Sequence, residues 1–287
     1  MTGEHNVKGL LRLSFQYDQQ LQQTRLASSE QRPPLRVIRA FSLADSAALV
    51  HLHNLSGGVL GGDRFDIAVA VGAQASAQLT STSATRLYRS RPALPPATQT
   101  ALIQIKEGGL LEYLPDPLIP FAGARYQQQT RIELAEDAGL FWWETIAPGR
   151  SARGERFAYD LLSIGMEITA QGRPLAIERF RLEPSHHSLS SLSRFGPYSY
   201  MCSFYICRVG LESAHWLKLE KMLSSIAQDL SRPGEISWGV SSLVAHGLVV
   251  RALSCQGREI AGGLITFWQE AKRALYGREA ILPRKIY

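Results

Sequence analysis

Leu55-Ser56-Gly57-Gly58-Val59-Leu60-Gly61-Gly62-Asp63-Arg64 runs directly into Phe65-Asp66-Ile67-Ala68-Val69-Ala70-Val71. Four glycines within six positions invite comparison with a phosphate-binding loop, and the residues after them argue against it. A Walker loop needs Gly-Lys-Ser/Thr leading into a helix, and a dinucleotide fingerprint needs a helix N-terminus aimed at the pyrophosphate. Here Phe65, Ile67, Val69 and Val71 recur at every second position, the period of a strand with one face in a core. The run 49–55 on the other side is also strand-like. The glycines therefore join two strands, where positive φ or close backbone approach is required. This is no nucleotide loop.

Outward from that junction the same reading continues. Strand-like runs at 10–15, 35–41 and 49–55 precede it, with a Gln-rich segment and Pro33-Pro34 between the first two. Runs at 65–71, 75–80, 100–106, 110–114, 128–134, 140–146, 161–169 and 175–182 follow at short spacing, and Ala170-Gln171-Gly172-Arg173 fits a hairpin turn between the last two. Strands this dense, with no helices between them, predict layered sheets or a β-solenoid and not a βαβ fold. No sequence repeat of fixed period supports the solenoid variant.

The last third changes character. Trp216, Leu219, Leu223, Ile226 and Leu230 form a helical stripe, with Ser213 expected as N-cap and Arg232-Pro233-Gly234 as the stop. A strand region at 242–253 leads to a second helix over 258–276, with Ile260, Leu264, Phe267, Ala271 and Leu275 on one face. No Pro-, Gly- or Ser-rich linker separates the halves. The expectation is one α+β domain over residues 1–287, mainly β, with stacked β-sheets and its helices in the C-terminal third.

Composition narrows the class of function. With 45% hydrophobic and 20% charged residues, the 287-residue chain can bury a substantial core. No apolar run reaches the roughly 18 residues of a membrane span, and Met1-Thr2-Gly3-Glu4-His5-Asn6 lacks the apolar stretch of a secretory signal. Three cysteines, an odd number and few, suit a reducing cytoplasm. The net charge of +6 would attract an acidic protein, a nucleic acid or an anionic membrane. Its arginines and lysines are scattered, however, with small groups at Arg86, Arg89 and Arg91 and at Lys272, Arg273 and Arg278. No nucleic-acid recognition signature accompanies them, so a protein partner is favoured over nucleic acid or membrane.

Catalytic patterns are missing. No Gly-x-Ser-x-Gly elbow or papain-type cysteine is present, and no base is placed beside the hydroxyl cluster Ser81, Thr82 and Ser83. Glu112 and Asp116 could form a glycosidase-like pair, although Pro115-Asp116-Pro117 is turn chemistry first. His186 and His187 are adjacent and would point to opposite faces of an extended segment, a poor arrangement for one metal. Cys202 and Cys207 lack the matching pair of a zinc site, Cys255 reads as a small packed residue, and His246 as a core histidine. Asp63 follows two glycines, so a turn carboxylate bonded to backbone N–H groups is its plain reading. Glu144, in the aromatic run Phe141-Trp142-Trp143-Glu144, and Glu178, in Ile177-Glu178-Arg179-Phe180, need partners if buried.

Several motifs acquire meaning in order. Ser-Gly-Gly-(x)3-Gly-Asp from Ser56 to Asp63 is followed by a strand and then by Leu79-Thr80-Ser81-Thr82-Ser83-Ala84-Thr85-Arg86-Leu87-Tyr88-Arg89. Next come Leu111-Glu112-Tyr113-Leu114-Pro115-Asp116-Pro117, Ile119-Pro120-Phe121, Gly149-Arg150-(x)3-Gly154-Glu155-(x)-Phe157, Trp268-(x)4-Arg273 and Pro283-Arg284. From about residue 50 onward this series resembles the UreD (UreH) family of urease accessory proteins. Arg86 stands where the family pattern has Lys, and Ser81 and Ser83 interrupt its Thr-Thr-Pro.

The resemblance implies a non-enzymatic maturation factor that docks on the urease apoprotein and recruits a UreF-like accessory protein and a UreG-like GTPase. Nickel would be transient cargo, with no tightly bound cofactor. Under that reading Asp63, Glu144 and Glu178 are candidates for a water-filled nickel path, since oxygen ligands with retained water bind a passing cation weakly. Phe267, Trp268 and Lys272, with Pro283, Arg284 and Tyr287 in the tail, are candidate partner-binding residues, apolar anchors beside basic groups. The rival readings are a β-rich carbohydrate-active hydrolase and a basic nucleic-acid-binding module.

Overall fold

The computed structural model describes residues 7–191 and 193–283. In chain order the strands are β1 (Lys8–Asp18), β2 (Gln23–Arg32), β3 (Leu35–Arg36), β4 (Ala40–Ser42), β5 (Ala48–Asn54) and β6 (Arg64–Val71). Then follow β7 (Ser76–Ser81), β8 (Thr85–Leu87), β9 (Ala97–Ile105), β10 (Leu110–Tyr113), β11 (Leu118–Pro120) and β12 (Arg125–Leu134). The remainder are β13 (Gly139–Ile146), β14 (Leu161–Ala170), β15 (Arg173–Leu182), β16 (Tyr200–Arg208), helix α1 (Ser213–Leu230), β17 (Ile236–Ser242), β18 (Gly247–Ser254) and helix α2 (Gly257–Tyr276). The mainly β character and the C-terminal helices match the sequence reading.

The strands form two sheets, one in the order β15-β14-β12-β9-β6-β1-β2 and the other β17-β18-β16-β13-β10-β7-β5-β3. From β5 to β14 the long strands alternate between them. β6, β9, β12 and β14 pair in parallel in the first sheet, while β5, β7, β10 and β13 do so in the second. Parallel neighbours need a crossover, usually a helix. Here the crossover is a strand of the opposite sheet, so the centre of the molecule is wound as a two-walled coil. The winding is solenoid-like without any repeat in the sequence. Antiparallel pairs close its flanks: β1 with β2, β14 with β15, and β13 with β16 followed by β18 and β17.

Local chemistry explains the joints. At the β14–β15 hairpin Gln171 (φ 50°) and Gly172 (φ 76°) both take the left-handed region, the geometry of a two-residue turn that matches strand twist. In the glycine run Gly62 has φ 87°, and a Cβ on Gly58 would lie 2.4 Å from the Tyr88 ring and 2.6 Å from the Arg86 carbonyl oxygen. Positive φ and close approach thus both occur in that run, and β6 follows it.

Two apolar cores result. One lies between the sheets and includes Leu11, Phe15, Phe65, Ile103, Tyr126, Leu140 and Ile164. The other lies between the second sheet and the two helices, with Phe141, Phe204, Trp216, Leu219, Leu223, Leu264, Phe267 and Trp268. Burying each large apolar side chain here contributes about 1.5–3 kcal/mol. α2 ends where Gly277 adopts φ 61° and its N–H caps the Arg273 carbonyl.

Four expectations are corrected. The run 35–41 is two short strands, β3 and β4, and 242–253 takes in only the last residue of β17, the turn after it and β18. Ser213 is the first helical residue, with Glu212 at the cap position and no side-chain cap bond. His246 sits in the β17–β18 turn with φ 55°, not in an apolar strand. β2, β8, β11 and β16 have no counterpart among the expected runs.

Candidate functional site

The alternating strands bring inward-facing residues of distant segments to one level between the sheets. In β12 Tyr126, Gln128, Thr130, Ile132 and Leu134 share the buried phase. Parallel register then sets Gln128 beside Gln99 of β9, and Gln99 beside Phe65 of β6. Two amides thus stand in the middle of an otherwise apolar row. Across from them, a second row runs through the other sheet, where Glu144 of β13 pairs with Ser203 of β16 and Ser203 with Arg251 of β18.

A cavity of about 100 Å³ lies between these rows, lined among others by His53, Ser81, Thr85, Gln99, Tyr113, Asp116, Tyr126, Gln128 and Glu144. The half-buried Glu144 accepts a hydrogen bond at Oε1 from the Gln128 amide at 2.5 Å, and the Tyr126 hydroxyl donates to Gln128 Oε1 at 3.1 Å. Burial pushes the Glu144 carboxyl up to about 7; the Gln128 amide opposes that rise and the charge of Glu178 adds to it. Burial also raises the phenols of Tyr113 and Tyr126 further above neutrality, so both remain hydroxyls. Asp116 is fixed on the same cavity by Ser81, whose hydroxyl donates to Oδ2 at 3.2 Å and whose oxygen accepts the Asp116 N–H at 2.8 Å.

Glu178 reaches the second row from the edge strand β15. Ser203 Oγ–H donates to its Oε1 at 3.0 Å and Tyr205 O–H to its Oε2 at 2.5 Å. Arg251 Nη2 lies 3.6 Å from Oε1, and its side chain is 56% exposed. A polar seam therefore continues from the cavity through Glu144, Ser203 and Glu178 to a guanidinium open to solvent.

The structure separates Asp63 from this seam. Asp63 is 1% exposed, its Oδ2 accepts the Leu60 N–H at 2.9 Å and its Oδ1 the Val7 N–H at 3.3 Å. Burial raises its carboxyl, partly offset by these two bonds. Oδ2 holds the turn of the glycine run, the plain reading of this residue, and Oδ1 ties that turn to the segment just before β1. Glu112 lies inside β10, within the expected strand run 110–114, and is buried, apart from the turn at Asp116.

Three of the candidate docking residues also stand corrected in position. Phe267 and Trp268 are fully enclosed and Lys272 is 1% exposed, because the α2 face that bears them packs on the second sheet. Lys272 Nζ pairs with Glu112 at 2.6 Å and Asp45 at 3.0 Å, while the Gln78 amide bridges Glu112 and the Ile281 carbonyl. These side chains present no surface to a partner in the chain alone. Pro283 is half-buried, and Arg284 and Tyr287 lie outside the described residues.

Among the described residues no group of three or more His, Cys, Asp and Glu side chains is placed to hold a metal ion. Cys202 and Cys207 are buried free thiols pushed up to about 12, hence protonated and poor ligands near neutrality. His186 is exposed and lies 3.9 Å from Glu183. No helix among the described residues is long and apolar enough to cross a membrane. Sequence reasoning missed Gln128 and His53. The signal for Gln128 is a polar residue on the inward phase of an alternating strand, and that for His53 is its place at the end of His51-Leu52-His53, just ahead of the glycine run.

Comparison with known proteins bears on this site. A family model described as UreD urease accessory protein matches residues 7–286. A urease accessory protein UreD of Herpetosiphon aurantiacus is 50% identical over 281 residues, covering 98% of this chain and 97% of its own. A urease accessory protein UreD 2 of Pseudomonas syringae pv. tomato is 33% identical, with 91% and 89% covered. A UreD of a Bacillus species is 28% identical, with 96% and 98% covered. A family match over nearly the whole length, with relatives of matching extent, places this chain in the UreD family of urease accessory proteins.

Proposed function

We propose that, within urease maturation, this chain is a scaffold and nickel conduit. It docks on the urease apoprotein, recruits a UreF-like accessory protein and a UreG-like GTPase, and passes nickel inward when that GTPase acts. It performs no catalytic step of its own, and nickel is cargo held weakly and released. A cytoplasmic setting belongs to the same reading and accords with three unpaired cysteines.

The observation that carries the proposal is the polar seam between the sheets. A carboxylate in an apolar interior is costly unless water or a partner meets it. Here Glu144 faces a cavity large enough for water, beside amides and hydroxyls. A few oxygen ligands with retained water suit an ion that must move on. The route is narrowed to Glu144 and Glu178, since the oxygens of Asp63 are occupied by backbone N–H groups.

Co-expression with urease subunits and the other accessory proteins tests this. Glu144→Ala should lower urease activation with the complex intact by pull-down, and Glu144→Phe, which fills the cavity, should lower it further. Activation that falls only in step with lost complex would show that Glu144 serves assembly and not passage.

A further inference from the structure

The inter-sheet cavity has a neighbour at the surface. A groove of about 990 Å³ lies between the β4–β5 turn and the C-terminal segment, lined by Ile38, Phe41, Leu49, His51, His53 and Leu282 among others. His51 and His53 lie two residues apart on β5, so their side chains leave the same face of the strand. Both border the groove, and His53 also borders the interior cavity that holds Glu144. His53 is thus the residue common to the outer and inner spaces.

We propose that His51 and His53 form a two-imidazole acceptance site for a borderline divalent cation of the nickel class, set where the surface groove meets the inter-sheet cavity. Imidazole nitrogen suits nickel, whereas magnesium and calcium favour oxygen ligands. The His51 ring is oriented edge-on by Phe41, with centroids 5.8 Å apart. His53 is half-buried where the two spaces meet. Two protein ligands leave the other coordination positions to water. Arg39 also lines the groove, held 4.3 Å over the Phe41 ring, and its charge weakens cation affinity further. Both features suit a site that accepts an ion and gives it up. Transfer from His53 towards Glu144 rests on the conduit reading above; the metal site itself does not.

The test uses the purified full chain and nickel(II) alone, with magnesium(II) as control. Calorimetric titration should give nickel binding that weakens about tenfold or more in the double variant His51→Gln/His53→Gln, since losing even an outer-shell partner of a metal ligand costs roughly 10–100-fold. Binding should persist in the double variant His186→Gln/His187→Gln, and circular dichroism and melting temperature should be unchanged in both. Nickel affinity that survives in the first pair and vanishes in the second overturns the site. On wild-type protein with labelled histidine, paramagnetic nickel should broaden the His51 and His53 imidazole signals first; untouched signals overturn the proposal even if the double variant fails to fold. Weakened nickel binding with undiminished urease activation would uphold the metal site and refute its place on a conduit.

Discussion

Glu144→Gln isolates what the cavity does to a carboxyl group. The substitution keeps the shape and an oxygen able to accept the Gln128 amide, and removes only the titration. Raising a carboxyl from its ordinary 4.5 to about 7 corresponds to about 3 kcal/mol of preference for the neutral form. The cavity leaves room for water, which would moderate that figure, so about 1–3 kcal/mol is expected. The folded state holds the proton more tightly than the unfolded chain, so the wild type loses stability as pH rises from 4.5 to 7. The variant lacks this loss. Urea unfolding at a series of pH values should show the two proteins equal near pH 4, with Glu144→Gln pulling ahead by about 1–3 kcal/mol and reaching a plateau above pH 7. A stability difference that stays flat across this range would mean that Glu144 does not titrate near neutrality, and the account of a desolvated carboxyl at the cavity would be wrong.

Three other outcomes are expected. Lys272→Met strands Glu112 in the interior and should cost about 3–5 kcal/mol in chemical unfolding, whereas Lys272→Met/Glu112→Leu should recover most of it; a double variant no better than the single one would deny the pair its role. The pure chain should show no GTP turnover, because a strand and not a helix follows the glycine run; turnover abolished by Gly61→Ala would refute this. Deleting residues 283–287 should weaken pull-down of a UreF-like partner without lowering the melting temperature, and unchanged complex formation would remove the tail from docking.

The legibility of the chain follows the number of faces each strand buries. β6 and β12 have one buried phase, and their alternation is plain in the residues alone. β16 is hidden because both of its faces are covered: Tyr205 and Cys207 join one core, Cys202, Phe204 and Ile206 the other, so no alternation survives. β2 escapes notice for the opposite reason, being an edge strand with mostly exposed polar residues. Glu144 and Glu178 can be singled out as acids within apolar strands, but their convergence depends on which strands cross from sheet to sheet. Lys272 misleads because a lysine near a helix end beside a basic tail reads as exposed. Its partner Asp45 lies 227 residues away in sequence.

The coiled path of the central strands also bears on how the protein comes into being. Between β5 and β14 each long strand waits for one that is synthesised two strands later, after the chain has visited the opposite wall. Pairings of this kind close large loops before any contact rewards them, and such chains fold slowly. While a coil is incomplete its newest strands carry open edges and bare apolar faces, the condition in which nascent chains associate wrongly. Yield of this protein should therefore respond to growth temperature and expression rate, and a binding partner made at the same time would act first by shortening that exposed interval.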